Sequence, residues 1–203
     1  MTNGEEISAS AKQKHIEAAA RAKNPLENLP YRNYKSAACG QEFELYCRAK
    51  NDLDAKTLKW AFKLAEINVA PFYKQLKMGW QPKIKQAELN KNWARYLVAQ
   101  NAEKQPVAYA MFRFDIDDGD SVLYCYEMQV SAPCQRKGLG KFMMQTLEAC
   151  ARHFQMEKIM LTVLKNNENS ITFFNALGYI KDETSPDVLA QADYQILSKS
   201  TLV

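Results

Sequence analysis

A chain of 203 residues, 47% apolar and 25% charged, can bury one real core and has the composition of an ordinary globular domain. Its net charge of +4 is too mild to call for a nucleic-acid partner, no apolar run is long enough to span a bilayer, and the N-terminus MTNGEEISAS lacks the basic start and apolar centre of a signal peptide. Five cysteines at irregular spacings and two histidines form no zinc set, so a soluble, intracellular protein with reduced thiols and no metal is expected.

Residues 8–23 are rich in alanine and lysine and predict a mostly polar helix. It belongs to an N-terminal arm, 1–30, that is either partly disordered or docked on the domain formed by 31–203. Asn24-Pro25 and Leu29-Pro30 end the helix and lead into an aromatic tether, Tyr31 and Tyr34. Residues 43–48 alternate as a first strand. Asp52 or Asp54 can cap the next helix, whose apolar face is Leu58, Phe62, Ala65 and Val69 with Ala61 alongside; Pro71 is expected to end it. The segment FYKQLKMGWQP, with Phe72, Tyr73, Met78 and Trp80, reads either as a wall over a site or as core plugs. A short helix at 83–91 and strands at 93–99 and 107–116 follow, and Asp117 to Asp120 form a hairpin turn.

Residues 122–142, VLYCYEMQVSAPCQRKGLGKF, organise the rest. A strand-type run is stopped by Ser131, Ala132 and Pro133. Arg136, Lys137, Gly138, Leu139, Gly140 and Lys141 then lead directly into a helical pattern over 138–154. Free N–H groups of a first helical turn, the positive end of the helix dipole and two glycines make an anion cradle, and three basic side chains add charge. A Walker loop is excluded because Phe142 follows Lys141, and a dinucleotide fingerprint because Met143 replaces its third glycine. A buried strand at 158–164, a short helix at 167–177, a strand opening at 178–180 and a last strand at 194–198 complete the chain. Asp115, Asp117, Asp118, Asp120 and Glu127 crowd a segment where Arg113 is the only basic residue, whereas 136–165 carries six basic residues against Glu148 and Glu157. An acidic zone beside a basic one suits a cationic substrate meeting an anionic cofactor; the last aspartates fit a charged hairpin turn equally.

The Gln/Arg-x-x-Gly-x-Gly turn, followed about 30 residues later by Asn167-x-x-Ser170-x-x-Phe173-Phe174-x-x-Leu177-Gly178-Tyr179, resembles the signature of the GCN5-related N-acetyltransferases (GNAT). That resemblance implies an α/β (α+β) fold with a mixed, mostly antiparallel sheet of about seven strands flanked by helices, and acetyl-CoA as cofactor. Within the superfamily the chain resembles the NatD family of histone N-alpha-acetyltransferases through LYCYE at 123–127, RKGLGKF at 136–142, MLTV at 160–163, FRFD at 112–115, the Tyr73…Gly79-Trp80 loop and Tyr194-Gln195-Ile196-Leu197-Ser198. This implies transfer of acetyl to the serine amine of histone tails beginning Ser-Gly-Arg-Gly, in cytoplasm and nucleus, by a monomer without an auxiliary subunit. Glu127 is implied as general base, through water, with Tyr126 or Tyr124 protonating the departing thiolate. Met128, Gln129 and Val130 are implied to offer backbone groups to the acetyl and pantetheine arm, residues 136–141 to hold the pyrophosphate, and Asn167 to hold the cofactor near its thiol end. Tyr73, Asp115, Ile116, Asp117, Tyr126, Thr162 and Tyr194 are implied to line the peptide site. The chain departs from that family at Asp117 (glutamate there), at Met78 (tryptophan there) and in having no Cys/His-rich segment after the last strand.

The chemistry is consistent with this. A free α-amine, with a pKa of about 7.7–8.0, is partly neutral near pH 7, so one carboxylate is enough help. Asp115 and Asp117 suit a guanidinium. Strict alternation, however, puts Tyr124, Tyr126 and Met128 on one face and Cys125 and Glu127 on the other, so Tyr126 and Glu127 share a site only if the strand bulges or splays. The other readings are an acetyltransferase for lysine or a small amine, a non-catalytic histone-tail binder, and Cys125 as a nucleophile.

Overall fold

A computed structural model describes residues 8–187 and 189–202; residues 1–7 of the arm lie outside the described residues. Its elements are α1 (Ala9–Arg21), β1 (Asn33–Lys35), β2 (Glu42–Ala49), α2 (Ala55–Tyr73), α3 (Pro82–Leu89), β3 (Arg95–Gln100), β4 (Pro106–Asp117), β5 (Asp120–Val130), α4 (Leu139–His153), β6 (Lys158–Leu164), α5 (Glu168–Ala176), β7 (Ile180–Lys181) and β8 (Tyr194–Ser200). The strands form one sheet in the order β1-β2-β3-β4-β5-β6-β8-β7. Its neighbours are antiparallel except β5 and β6, whose parallel pairing requires a crossover, supplied by α4.

Alternation along the strands builds a core on each side of this sheet. Leu97, Ala110, Phe112, Leu123 and Cys125 belong to the cluster that includes Met143, Leu147 and Cys150 of α4 and Ala19 of α1. Tyr96, Val98, Tyr109 and Met111 face the other way, onto Ala61 and Leu64 of α2 and Leu89 of α3. Asp54 caps α2, its carboxylate accepting from the Thr57 N–H at 2.7 Å and the Thr57 hydroxyl at 2.9 Å.

Three expectations need correction. Pro71 does not end α2: it sits in the last turn on the solvent side, where it forfeits one N–H bond, and the Lys74 N–H still reaches the Ala70 carbonyl at 3.0 Å. The buried stripe of α2 is Thr57, Ala61, Leu64, Ala65 and Ala70, while Leu58, Phe62 and Val69 are half-buried at its margin. The aromatic tether contains a strand, β1, too short to show alternation and fixed by pairing with Glu42–Glu44 of β2, and this brings the sheet to eight strands.

Helix α1 packs against β4 and β5 through charge as much as through apolar contact. Lys12 Nζ donates to the Gly119 carbonyl at 2.8 Å and pairs with Glu157 at 2.9 Å, and Arg95 donates to the Ala20 carbonyl at 2.6 Å. Lys158 extends the network to Asp120 at 3.0 Å and Asp182 at 3.2 Å. Burial works against an ionised Asp182, yet hydrogen bonds from Ser198 and Thr184 and the Lys158 ammonium outweigh it and hold the carboxyl down at about 2, against an ordinary 3.8. A carboxyl depressed in this way stabilises the fold above its unfolded pKa and loses that contribution as the pH falls through its folded one. Urea midpoints of Asp182→Asn are therefore expected to lie below wild type at pH 6 and to converge with it as the pH drops from about 4 toward 2; curves that stay parallel across that window would refute this role.

Candidate active site

Strand β5 carries the bulge that a shared site requires. Its register against β4 runs Met111↔Glu127 and then Phe112↔Cys125, so Tyr126 is the extra residue. Cys125 keeps its place in the core under α4, whereas Glu127 lies opposite Met111, which faces α2 and α3. Tyr126 contacts Trp93 and Tyr124 on that same side, so the bulge sets Tyr126 and Glu127 together. Pairing of β5 with β6 also stops at Cys125↔Leu161, beyond which β6 pairs only with β8. The two central strands part there. Among the described residues, the β6-facing edge of β5 past Tyr126 has no strand partner; it borders a cleft of about 130 Å³ lined by Tyr73, Lys85, Tyr126, Glu127, Met128, Gln129, Thr162, Asn167 and Phe174 among others.

Glu127 is tightly held in this cleft. One carboxylate oxygen pairs with Lys85 Nζ at 2.9 Å; the other accepts from Gln129 Nε2, whose carbonyl in turn accepts from Asn68 Nδ2 at 2.9 Å. Lys85 and Glu127 are each about nine-tenths buried (side-chain exposure 11% and 10%), and Lys85 also pairs with Glu88 at 2.9 Å and lies over the Tyr73 ring. Burial opposes the Lys85 charge, but Glu127, Tyr73 and Glu88 outweigh it and hold its pKa well above the usual range. Desolvation raises the Tyr124 hydroxyl to about 12 and shifts Tyr126 the same way, so both are protonated donors at neutral pH. Burial also pushes the Cys125 thiol up to about 12, which removes it as a nucleophile.

The rim beside these tyrosines is aromatic and charged. The Tyr124 and Tyr126 rings pack tilted with centres 4.6 Å apart, and the Tyr124 hydroxyl meets Thr162 Oγ1 at 2.6 Å. Asp117 lies close enough to raise both tyrosines. Ile116 is exposed, and Tyr194, half-buried, opens β8 opposite Leu164. Asp115 is paired with the chain's own Arg113, whose guanidinium lies 4.8 Å from the Trp93 ring centre and 5.6 Å from that of Tyr126. Of the loop aromatics, Tyr73 lines the cleft, Trp80 packs between it and Phe62, and Met78 is exposed. Asn167 lines the cleft and caps α5, accepting from the Ser170 N–H at 3.2 Å.

The turn before α4 follows the open end of β5 in the chain. Among the described residues, none of the amide N–H groups from Arg136 to Lys141 donates to a protein acceptor, and all stand at the positive end of a 15-residue helix. A row of six such amides beside Arg136 and Lys141 fits a diphosphate. The turn is braced from behind: the Tyr34 and Ser36 hydroxyls both donate to the Lys137 carbonyl, at 2.9 and 2.8 Å. Because a trans peptide sets its C=O and N–H in opposite directions, this grip turns the Gly138 N–H outward. Tyr34 is itself clamped between Phe142 and Phe43. Gly138 has φ +82°, and a Cβ there would lie 2.1 Å from the Tyr34 hydroxyl oxygen. Among the backbone groups of 128–130, the Val130 carbonyl is already taken by Asn68 and Gln135.

The sequence reading missed Lys85, Asn68, Arg113, Trp93 and the Tyr34–Ser36 brace. Tyr34 gives a signal as an aromatic in the tether and Arg113 as the one base in the acidic segment; the others join the site through contacts distant in sequence.

Solved structures share this architecture at low identity. A protein from Desulfovibrio desulfuricans assigned to the GNAT family superposes with a TM-score of 0.61 at 10% identity, covering 79% of this chain and 99% of that one. The ribosomal-protein-S18-alanine N-acetyltransferase of Escherichia coli gives 0.53 at 16%, covering 78% and 95%. The spermidine N-acetyltransferase of Vibrio cholerae, solved with CoA and spermine, gives 0.53 at 14%, covering 77% and 95%.

Removing two hydrogen bonds worth about 1 kcal/mol each from the brace, in Tyr34→Phe with Ser36→Ala, is expected to weaken CoA binding about tenfold or more by calorimetry. Gly138→Ala should weaken it further, by steric clash and backbone strain. An unchanged Kd in the folded double variant would show that the hydroxyls do not shape the turn. The profile of the acetyltransferase (GNAT) family matches residues 61–179, from the middle of α2 through α5 and including both the bulged strand and the braced turn. The chain therefore belongs to the GNAT family of acetyltransferases and uses acetyl-CoA.

Proposed function

We propose that this acetyltransferase is an N-alpha-acetyltransferase that modifies the N-terminal serine amine of histone tails beginning Ser-Gly-Arg-Gly, acting as a monomer in cytoplasm and nucleus. The observation that carries the reading is the bulge at Tyr126. It lets Tyr126 and Glu127 both line the cleft where β5 parts from β6, and Asp117 acts on the Tyr126 phenol from the rim. The resemblance of FRFD, LYCYE, MLTV and YQILS to the NatD family supports the substrate, because these segments bear Asp115, Glu127, Thr162 and Tyr194. A solved neighbour named as an alanine N-acetyltransferase of a ribosomal protein shares the fold.

Bound acetyl-CoA supplies the acetyl group as an activated thioester. The amides of 136–141 hold the diphosphate, and the unpaired edge of β5 offers strand-like hydrogen bonds to the amide-containing arm. Glu127, fixed by Lys85 and Gln129, receives through water the proton that the attacking amine sheds. Tyr124 or Tyr126 donates a proton to the departing thiolate. With Asp115 engaged by Arg113, Asp117 is the carboxylate left to take the arginine of Ser-Gly-Arg-Gly, and Tyr73, Ile116, Thr162 and Tyr194 wall the peptide.

Incubation of a Ser-Gly-Arg-Gly peptide with acetyl-CoA should add one acetyl group at the N-terminus by mass spectrometry, and blocking the α-amine should abolish turnover. Continued acetylation of the blocked peptide would favour a lysine or small-amine enzyme, and tail binding without turnover a reader. Glu127→Gln is expected to lower kcat by about 10²–10⁴ while the KM for acetyl-CoA stays within about twofold.

A further inference from the structure

We propose that Lys85 is a specificity-determining residue: its fixed ammonium beside Glu127 turns charged amines away, so that the cleft accepts α-amines and rejects lysine side chains. The inference rests on the α-amine reading above and adds its physical cause. A carboxylate alone in a cleft would attract any ammonium and then draw off its proton. Here that route is closed, because the charge of Glu127 is already balanced by Lys85 at 2.9 Å, with both side chains about nine-tenths buried. The charged groups around this pair are few. Glu88 of α3 also touches Lys85 but is half exposed and screened by solvent, while Tyr73 of α2 presents its ring and Gln129 of β5 a neutral amide.

An ammonium entering this cleft would meet Lys85 at short range with no unpaired buried anion to hold it, so the amine must arrive neutral. At pH 7 roughly one α-amine in ten is neutral, against roughly one lysine side chain in 2,500. Lys85 lets this difference act in full, and no steric filter is required. An arginine at 85 would preserve the effect and a neutral side chain would not.

The test is a competition in one reaction between a Ser-Gly-Arg-Gly-Lys peptide with a free N-terminus and the same peptide N-formylated, followed by mass spectrometry. The ratio of the two kcat/KM values is independent of how much enzyme is folded. Wild type and Lys85→Arg are expected to favour the free N-terminus strongly, and Lys85→Gln to narrow the ratio at least tenfold. If both rates fall in Lys85→Gln but the ratio holds, Lys85 is only structural and the inference is overturned. If wild type acetylates both peptides equally, the α-amine reading itself fails, and this inference with it. Should Lys85→Gln not fold, wild-type binding decides: a Ser-Gly-Arg-Gly peptide with a trimethylated N-terminus should bind at least tenfold more weakly than the N-formyl peptide, and equal or tighter binding overturns the proposal.

Discussion

One extra residue in β5 decides what the cleft can do. Without the bulge at Tyr126, the pleat would send Glu127 into the apolar layer under α4, where Cys125 and Leu123 pack, and an ionised carboxylate there would have no partner. With it, Glu127 turns to the side where α2 and α3 supply Asn68 and Lys85. The parting of β5 from β6 begins at the same level, so the exposed backbone edge and the carboxylate arrive together. Pairing between the central strands is given up where backbone groups and a carboxylate become free to line the cleft.

The cleft and the turn before α4 use opposite electrostatic strategies. The turn before α4 gathers N–H groups without protein acceptors at a helix start, a positive site held in shape by the hydroxyls of Tyr34 and Ser36 and suited to an anion. The cleft instead neutralises itself, with Glu127 and Lys85 compensating each other in near burial. A buried pair of this kind adds little net stability but is costly to break on one side, which makes it a positioning device more than a stabilising one.

Much of this was legible in the sequence because it is local. The glycines and basic residues of 136–141 sit next to the helix they open, β6 declares itself as an apolar run and α4 by periodicity. What stayed hidden depends on partners far along the chain. The bulge is a property of the register between Tyr126 and the Met111–Phe112 step, not of β5 alone. Lys85 is one of two lysines on a short polar helix, distinguished only by where α3 lands. β1 has three residues and exists because β2 pairs with it, while Pro71 misled because a proline in a last turn gives up only one bond.

The contact between residues 34 and 138 couples two positions that are distant in sequence. A methyl group at 138 would occupy the space of the Tyr34 hydroxyl, and shrinking Tyr34 first would loosen the Lys137 carbonyl. Neither change can be accepted before the other without harm, so across homologous sequences the pair should drift jointly or stay frozen, a contingency in the order of substitutions imposed by a single hydroxyl.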